Sequence, residues 1–245
     1  MRLSGPTLRY DVVGVFTDRA FAGNPLAVVH GAQDLAGEQM LAIAREFNLS
    51  ETAFPLPPTS AGAHYRVRIF TPLTELPFAG LPGIGTAWLL AATGRIAPGD
   101  AVQQSDGGLH AVHTEEHSAT LIGGEPLVGQ HLDAPALAIA CGLVLSDVDT
   151  VASAGVAGAG MDFSFLPVRA DSVARAVPKP AEITENAVGR GVVPVAFDAE
   201  RRTTRTRMFR ASGGEDPATG AAHSHSVPGW WTGVSCQATA SRSTT

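Results

Sequence analysis

The sequence predicts a mixed α+β fold of two similar halves, each a sheet wrapping a single helix. Short strand-like runs are interrupted by single helices, and no regular 30-residue strand–helix alternation marks a doubly wound sheet. Short matches then recur in the same order along the chain. NPLAVV at 24–29 resembles EPLVG at 125–129, LAIA occurs at 41–44 and 137–140, and NLSE at 48–51 is echoed by VLSD at 144–147. LPGIGTA at 81–87 lines up with DPATGAA at 216–222. These matches divide the chain into halves at 1–117 and 118–245.

The elements follow from local pattern. Val12 to Phe16 is a short apolar strand, and FAGNP at 21–25 turns the chain into a second strand, Leu26 to His30. GEQMLAIAREF at 37–47 places Met40, Leu41, Ile43, Ala44 and Phe47 at helical spacing, which predicts an amphipathic helix. Thr52 to Leu56 reads as a strand ended by Pro57–Pro58. YRVRIF at 65–70 alternates with period two, the strand signature. A Gly/Pro loop is expected from Thr71 to Gly85, then a buried helix from Thr86 to Thr93 closed by Gly94. AVQQ, LHAVHT and ATLIG, between 101 and 123, read as further short strands.

Composition excludes several classes of function. Hydrophobic residues make up 44% of the 245, enough for a real core, and charged residues 16%. The net charge is −6 and no basic block exists, so nucleic acid is not an expected partner. The longest uncharged apolar stretch, Ala134 to Leu145, is too short to span a bilayer. The first residues lack the apolar core of a signal peptide, so a cytoplasmic protein is expected. Cys141 and Cys236 have neither disulfide-framework nor zinc spacing, and no metal site is expected.

Two segments carry candidate chemistry: ELPFAGLPGIGTAWLL at 75–90 and GGEDPATGAA at 213–222. In each, a Pro/Gly turn leads into small residues that can open a helix. Helix starts leave backbone N–H groups unpaired and favour an anion such as a carboxylate. Gly80, Gly83, Gly85 and Gly220 would let a ligand approach the backbone, with Thr219 beside them. Ordinary helix entries would look the same. GLPGIG lacks dinucleotide-motif spacing, and no lysine follows to make a phosphate loop.

Glu51 is the acid/base candidate. It stands where a helix passes into an apolar strand, and a partly desolvated carboxylate is suited to moving protons near neutral pH. A capping or surface glutamate is the plainer alternative. Asp216 could orient a substrate amine or hydroxyl, or simply cap a helix. His64, His110, His113, His117 and His131 sit in polar contexts and read as solvated. Cys141 reads as core, and neither cysteine lies in a Gly loop, which argues against a two-thiol racemase.

Taken together, DVVGVFTDRAFAGNPLAVV (11–29), IAREFNLSETAF (43–54), RIFTPLTELPFAGLPGIGTAWLL (68–90), LIGGEPL (121–127) and TRMFRASGGEDPATGAA (206–222) resemble the PhzF family of phenazine-biosynthesis-like isomerases. The resemblance implies a diaminopimelate-epimerase-like fold: two domains, each a curled sheet around a central helix, with a site in the cleft between them. It implies a homodimer, no cofactor and no metal, and proton transfer on a small carboxylate-bearing metabolite. The family's catalytic glutamate falls on Glu51 and its EDPATG aspartate on Asp216.

Three departures stand against it. Leu81 replaces the family's histidine, and leucine can neither relay a proton nor donate a hydrogen bond. Ala221 replaces its serine. After Ala222 the chain has no acidic residue and no helical period, and Pro228–Gly229 would stop a helix, so 223–245 reads like a frameshifted tail and a truncated second domain. A catalytically impaired relic or small-molecule-binding protein of the same fold is the alternative to an active isomerase.

Overall fold

The computed structural model describes residues 7–19, 21–122, 127–150, 152–158, 161–198, 200–201, 203–216, 219 and 238–243. These form two compact units. The first runs to Ile122 and also takes in 238–243; the second covers the described residues between.

The first unit contains β1 (Arg9–Val15), β2 (Asn24–His30), α1 (Gly37–Phe47), β3 (Glu51–Leu56), β4 (Tyr65–Phe70), β5 (Glu75–Leu76), α2 (Gly80–Ala92), β6 (Gly99–Ser105), β7 (Gly108–Thr114) and β8 (Ser118–Leu121). The second contains β9 (Leu127–His131), α3 (Ala134–Ala140), a 3₁₀ turn (Leu145–Asp147), β10 (Gly155–Gly158), β11 (Asp162–Pro167), α4 (Ala170–Arg175), α5 (Pro180–Asn186), β12 (Gly191–Asp198), β13 (Thr203–Thr206), β14 (Met208–Arg210) and β15 (Glu215–Asp216). The last strand, β16 (Ala238–Ser243), returns to the first sheet.

That return closes a ring. The strand order is β3–β2–β1–β16–β8–β7–β6–β4, and β4 pairs back to β3, with β5 beyond β4. β16 pairs antiparallel with β1 through Val12↔Ser243 to Val15↔Ala240, and with β8 through Ala238↔Ala119 and Thr239↔Ser118. A closed ring leaves no edge open to other chains. So 238–243 is strand, although the tail shows no helical period; residues 223–237 and 244–245 lie outside the described residues.

Helix α2 fills the ring. It carries no charge, and every residue from Gly80 to Ala91 is buried, as a helix apolar all round requires. The amphipathic α1 lies on the outer face, packing Met40 and Ala44 on Val29, Phe54 and Phe70. Its predicted bounds match the structure. The Gln39 side chain accepts the Ala36 N–H at its start, and Asn48, left-handed at φ 50°, turns the chain out of the helix toward β3.

The Gly/Pro loop expected over 71–85 is shorter, because α2 begins six residues before the expected Thr86. Pro82 falls inside the helix, at its third residue. In the first turn of a helix the N–H that proline lacks has no intrahelical acceptor, so proline does not break it. The boundary at 117/118 also shifts: β8 pairs with β7 and β16, which keeps Ser118–Leu121 in the first unit.

In the second unit the sheet order is β15–β14–β12–β11–β10–β9, with β13 also on β12. One face packs Leu166, Val192 and Phe209 against Leu137, Cys141 and Ile183 of the α3/α5 layer. The other carries Phe163, Phe165, Val193, Val195 and Met208. The two LAIA repeats fall in α1 and α3. A central helix expected after the GEDPATG loop would fall on residues outside the description.

Asp147 ties this unit together. Arg175 and Ser172 donate to its Oδ1 at 2.6 and 2.9 Å, and the Val144 N–H donates to Oδ2 at 3.0 Å. These donors, Arg175 foremost, hold its carboxyl down at about 2. Their contribution to stability is complete above the ordinary aspartate range and fades as pH falls through about 2. Urea unfolding of parent and Asp147→Asn should therefore differ at pH 6 and converge toward pH 2.

Candidate active site

The acid/base candidate points into the ring. The ideal Cβ of an alanine at position 85 would lie 2.7 Å from Leu26 Cδ2 and 2.8 Å from Val15 Cγ2, so these side chains face α2. Leu26 is the register partner of Glu51 in the parallel β2–β3 pair. Partners in register share a face, so Glu51 also faces inward. It is half-buried, and its Oε2 is shielded from solvent.

Both Glu51 and the start of α2 lie at one end of the ring. β2 runs in the same direction as α2, for His30 at its far end accepts Arg95 Nη1 at 2.6 Å just beyond the helix. Glu51 opens β3, which is parallel to β2, and so stands at the end where α2 begins. The β6–β7 turn is at this end too: Gly107 N–H donates to Pro77 O at 2.7 Å, three residues before the helix. The approach to α2 is pinned by Arg68, which binds Glu75 through both carboxylate oxygens at 2.6 and 2.7 Å.

The three glycines of the first segment divide by role. Gly83 donates its N–H to Ala79 O, and a Cβ there would lie 3.1 Å from Gln103 Nε2. Gly83 and Gly85 therefore let α2 sit close against opposite walls, and both lie within the helix rather than in the loop expected over 71–85. Gly80 and Leu81 keep first-turn N–H groups with no intrahelical acceptor, and Ala79 supplies no side-chain cap. The Gly85→Val variant should lose roughly 1–3 kcal/mol by overpacking. An unchanged melting temperature would show that α2 is not seated as described.

In the second unit, Arg210 Nη2 donates to Asp216 Oδ1 at 3.0 Å, and Thr219 Oγ1 donates to Oδ2 at 2.5 Å. Thus Asp216 and Thr219 are brought together, and both oxygens of Asp216 are engaged. Its carboxylate accepts both bonds, and the residue sits in β15; the residues a helix capped by it would use lie outside the described residues. Gly220 and Ala221 lie outside the described residues.

Other expectations need correction or completion. His110 is not freely solvated: it is half-buried, its ring 4.3 Å from that of Phe78, with Nε2 3.0 Å from Ser105 Oγ. Burial lowers its pKa. His64, though exposed, accepts the Val102 N–H at Nδ1. His113, His117 and His131 are exposed. Cys141 is fully buried and burial pushes its thiol up to about 12, which leaves it inert. Cys236 lies outside the described residues. Two strained positions were not legible in sequence: Phe16 and Phe21, in the β1–β2 loop at the Glu51 end, both have φ of 61°. Among the described residues, no cluster of three or more His, Cys, Asp or Glu could hold a metal, and no helix is long and apolar enough to cross a membrane.

A closed sheet around a buried helix is a mixed α+β fold of epimerase-like type. Among solved structures, a PhzF-family phenazine biosynthesis protein of Bacillus anthracis matches with a TM-score of 0.79 at 23% identity, over 89% of this chain and 78% of that one. A probable proline racemase of Agrobacterium radiobacter shares the fold at a TM-score of 0.57 and 13% identity, over 86% of this chain and 73% of that one. The chain belongs to the PhzC-PhzF family of phenazine biosynthesis-like proteins, whose family model matches residues 13–240.

Curated relatives include named isomerases. The trans-2,3-dihydro-3-hydroxyanthranilate isomerase of Pseudomonas aeruginosa is 51% identical over 84 residues, which are 34% of this chain and 30% of that protein. The uncharacterized isomerase YddE of Salmonella typhimurium is 32% identical over 226 residues, 86% of this chain and 75% of that protein.

Proposed function

We propose that this protein is an isomerase that moves a proton on a small carboxylate-bearing metabolite without a cofactor. The observation that carries the reading is the inward-facing, partly desolvated Glu51 at the start of the buried helix α2. Glu51 removes the proton from carbon and returns it at another position. The first-turn N–H groups of Gly80 and Leu81, with the positive end of the helix dipole, bind the substrate carboxylate. In the second unit, Asp216 is held by Arg210 and Thr219. The reading includes a cytoplasmic homodimer.

The first substrate to try is trans-2,3-dihydro-3-hydroxyanthranilate, because a relative is named for it. Incubation in D2O, followed by proton NMR, reads deuterium entering carbon positions. Uptake by the parent well above a Glu51→Gln control supports the reading. No uptake above that control, across a panel of cyclic and amino-acid carboxylates, overturns it.

A second reading, a binding protein that has lost turnover, is favoured by Leu81. It is buried in the first turn of α2, where its side chain offers no proton or hydrogen bond. Calorimetric binding of the same carboxylates without any deuterium uptake would select it.

A further inference from the structure

The proton-transfer reading names backbone donors for the substrate carboxylate, the first-turn N–H groups of α2, but no side-chain donor. When a base removes a proton from carbon, negative charge grows on a conjugated oxygen, and a donor aimed at that oxygen gives large rate gains. The Leu81 side chain cannot be that donor. The structure holds a donor in Ser105 and His110.

Hydrogen-bond accounting sets the tautomer. Ser105 Oγ already accepts the Gly107 N–H at 3.1 Å and lies 3.0 Å from His110 Nε2. Ser105 is only 5% exposed, and among the described residues its hydroxyl proton has no other acceptor. If the ring donated from Nε2, that hydroxyl proton would be stranded in the interior, at a cost of about 1–3 kcal/mol. The hydroxyl therefore donates to Nε2, and the ring proton sits on Nδ1. Burial favours the uncharged ring, so His110 is neutral at pH 7 with Nδ1–H as its free donor.

Topology sets the place. Ser105 and His110 flank the β6–β7 turn, whose Gly107 is bonded to Pro77, and His110 stacks on Phe78 in the approach to α2. Gln103, whose amide faces Gly83 of α2, is two residues from Ser105 and is the register partner of His110. Period two and register put all three on the inner face. His110 is thus at the ring end that Glu51 occupies, and it is half-exposed there.

We propose that His110, held by Ser105 and Phe78, is a further catalytic residue: a neutral imidazole whose Nδ1–H binds the substrate oxygen that gains charge as Glu51 takes the proton. The substrate class narrows accordingly, to carboxylates whose migrating proton is conjugated to an oxygen acceptor. This rests on the isomerase reading. No proton passes through His110; it donates a hydrogen bond throughout, so Glu51 alone carries the proton.

Three variants and one spectrum test it, on the full chain. His110→Phe keeps the stack on Phe78 and removes the donor; kcat should fall roughly 10²–10³-fold with KM changing far less. His110→Asn, whose amide N–H falls near the place of Nδ1–H, should recover most of that loss. Ser105→Ala should lie between, since the tautomer is no longer imposed. The ¹⁵N spectrum of the ring should show the Nδ1–H form at pH 7, and anthranilate, a carboxylate with no proton to move, should shift it. Parent-like kcat in His110→Phe, or an Nε2–H ring, overturns the assignment while leaving Glu51 in place. Parent-like turnover in Glu51→Gln overturns the isomerase reading itself.

Discussion

Glu51→Gln is expected to abolish deuterium uptake, lowering turnover roughly 10²–10⁴-fold. The substitution is close to isosteric, and Glu51 opens β3 at the end of the ring rather than filling the core. Its neighbours in the pairing, Leu26 and Thr52, keep their places. The amide still accepts and donates hydrogen bonds but cannot take a proton from carbon. The melting temperature should therefore stay near the parent value while the rate collapses. A variant that melts with the parent and still exchanges would remove Glu51 from the chemistry. A variant that unfolds would show that the carboxylate is mainly structural.

Ending the chain after residue 237 should cost about 3–6 kcal/mol, several net hydrogen bonds at roughly 1 kcal/mol each. Among the described residues, β16 is the only bridge between β1 and β8, and it meets them through six register pairs, four on β1 and two on β8. Without it the ring opens, and the facing sides of β1 and β8 become bare edges that pair with other chains. Helix α2 also loses a wall. Thermal unfolding and size-exclusion chromatography check this: the expected result is a melting temperature lowered by roughly ten degrees or more, or soluble aggregates. A truncated protein that is monodisperse with an unchanged melting temperature would show that β16 does not close the ring. Such a loss is comparable to the whole stability of an ordinary domain, so the deletion should also remove activity.

Much of the first unit was legible in the sequence because its signals are local. The helical spacing of GEQMLAIAREF and the alternation of YRVRIF define α1 and β4 to the residue. The burial of TAWLLA, from Thr86 to Ala91, follows from its lack of any charge. NLSETAF, PFAG and GEDPATG mark the family, and Glu51, the acid/base candidate of the first of them, faces inward.

What only the tertiary structure decided are matters of who stands opposite whom. Whether Pro82 ends a loop or occupies a first turn depends on where the helix starts, and α2 starts early because the ring encloses it. Gly83 and Gly85 look like ligand-approach glycines until Gln103, Leu26 and Val15 are seen against them. The oxygens of Asp216 look available until Arg210 and Thr219 meet them. His110 reads as solvated because its partners, Ser105 and Phe78, are brought to it by a hairpin turn and by the approach to α2. β16 has no local signal at all, since its pairing joins residues more than a hundred positions away. Propensity and period act over a few neighbours and determine elements. Contacts between distant segments, which set burial, tautomer and ion pairing, form only when those elements pack.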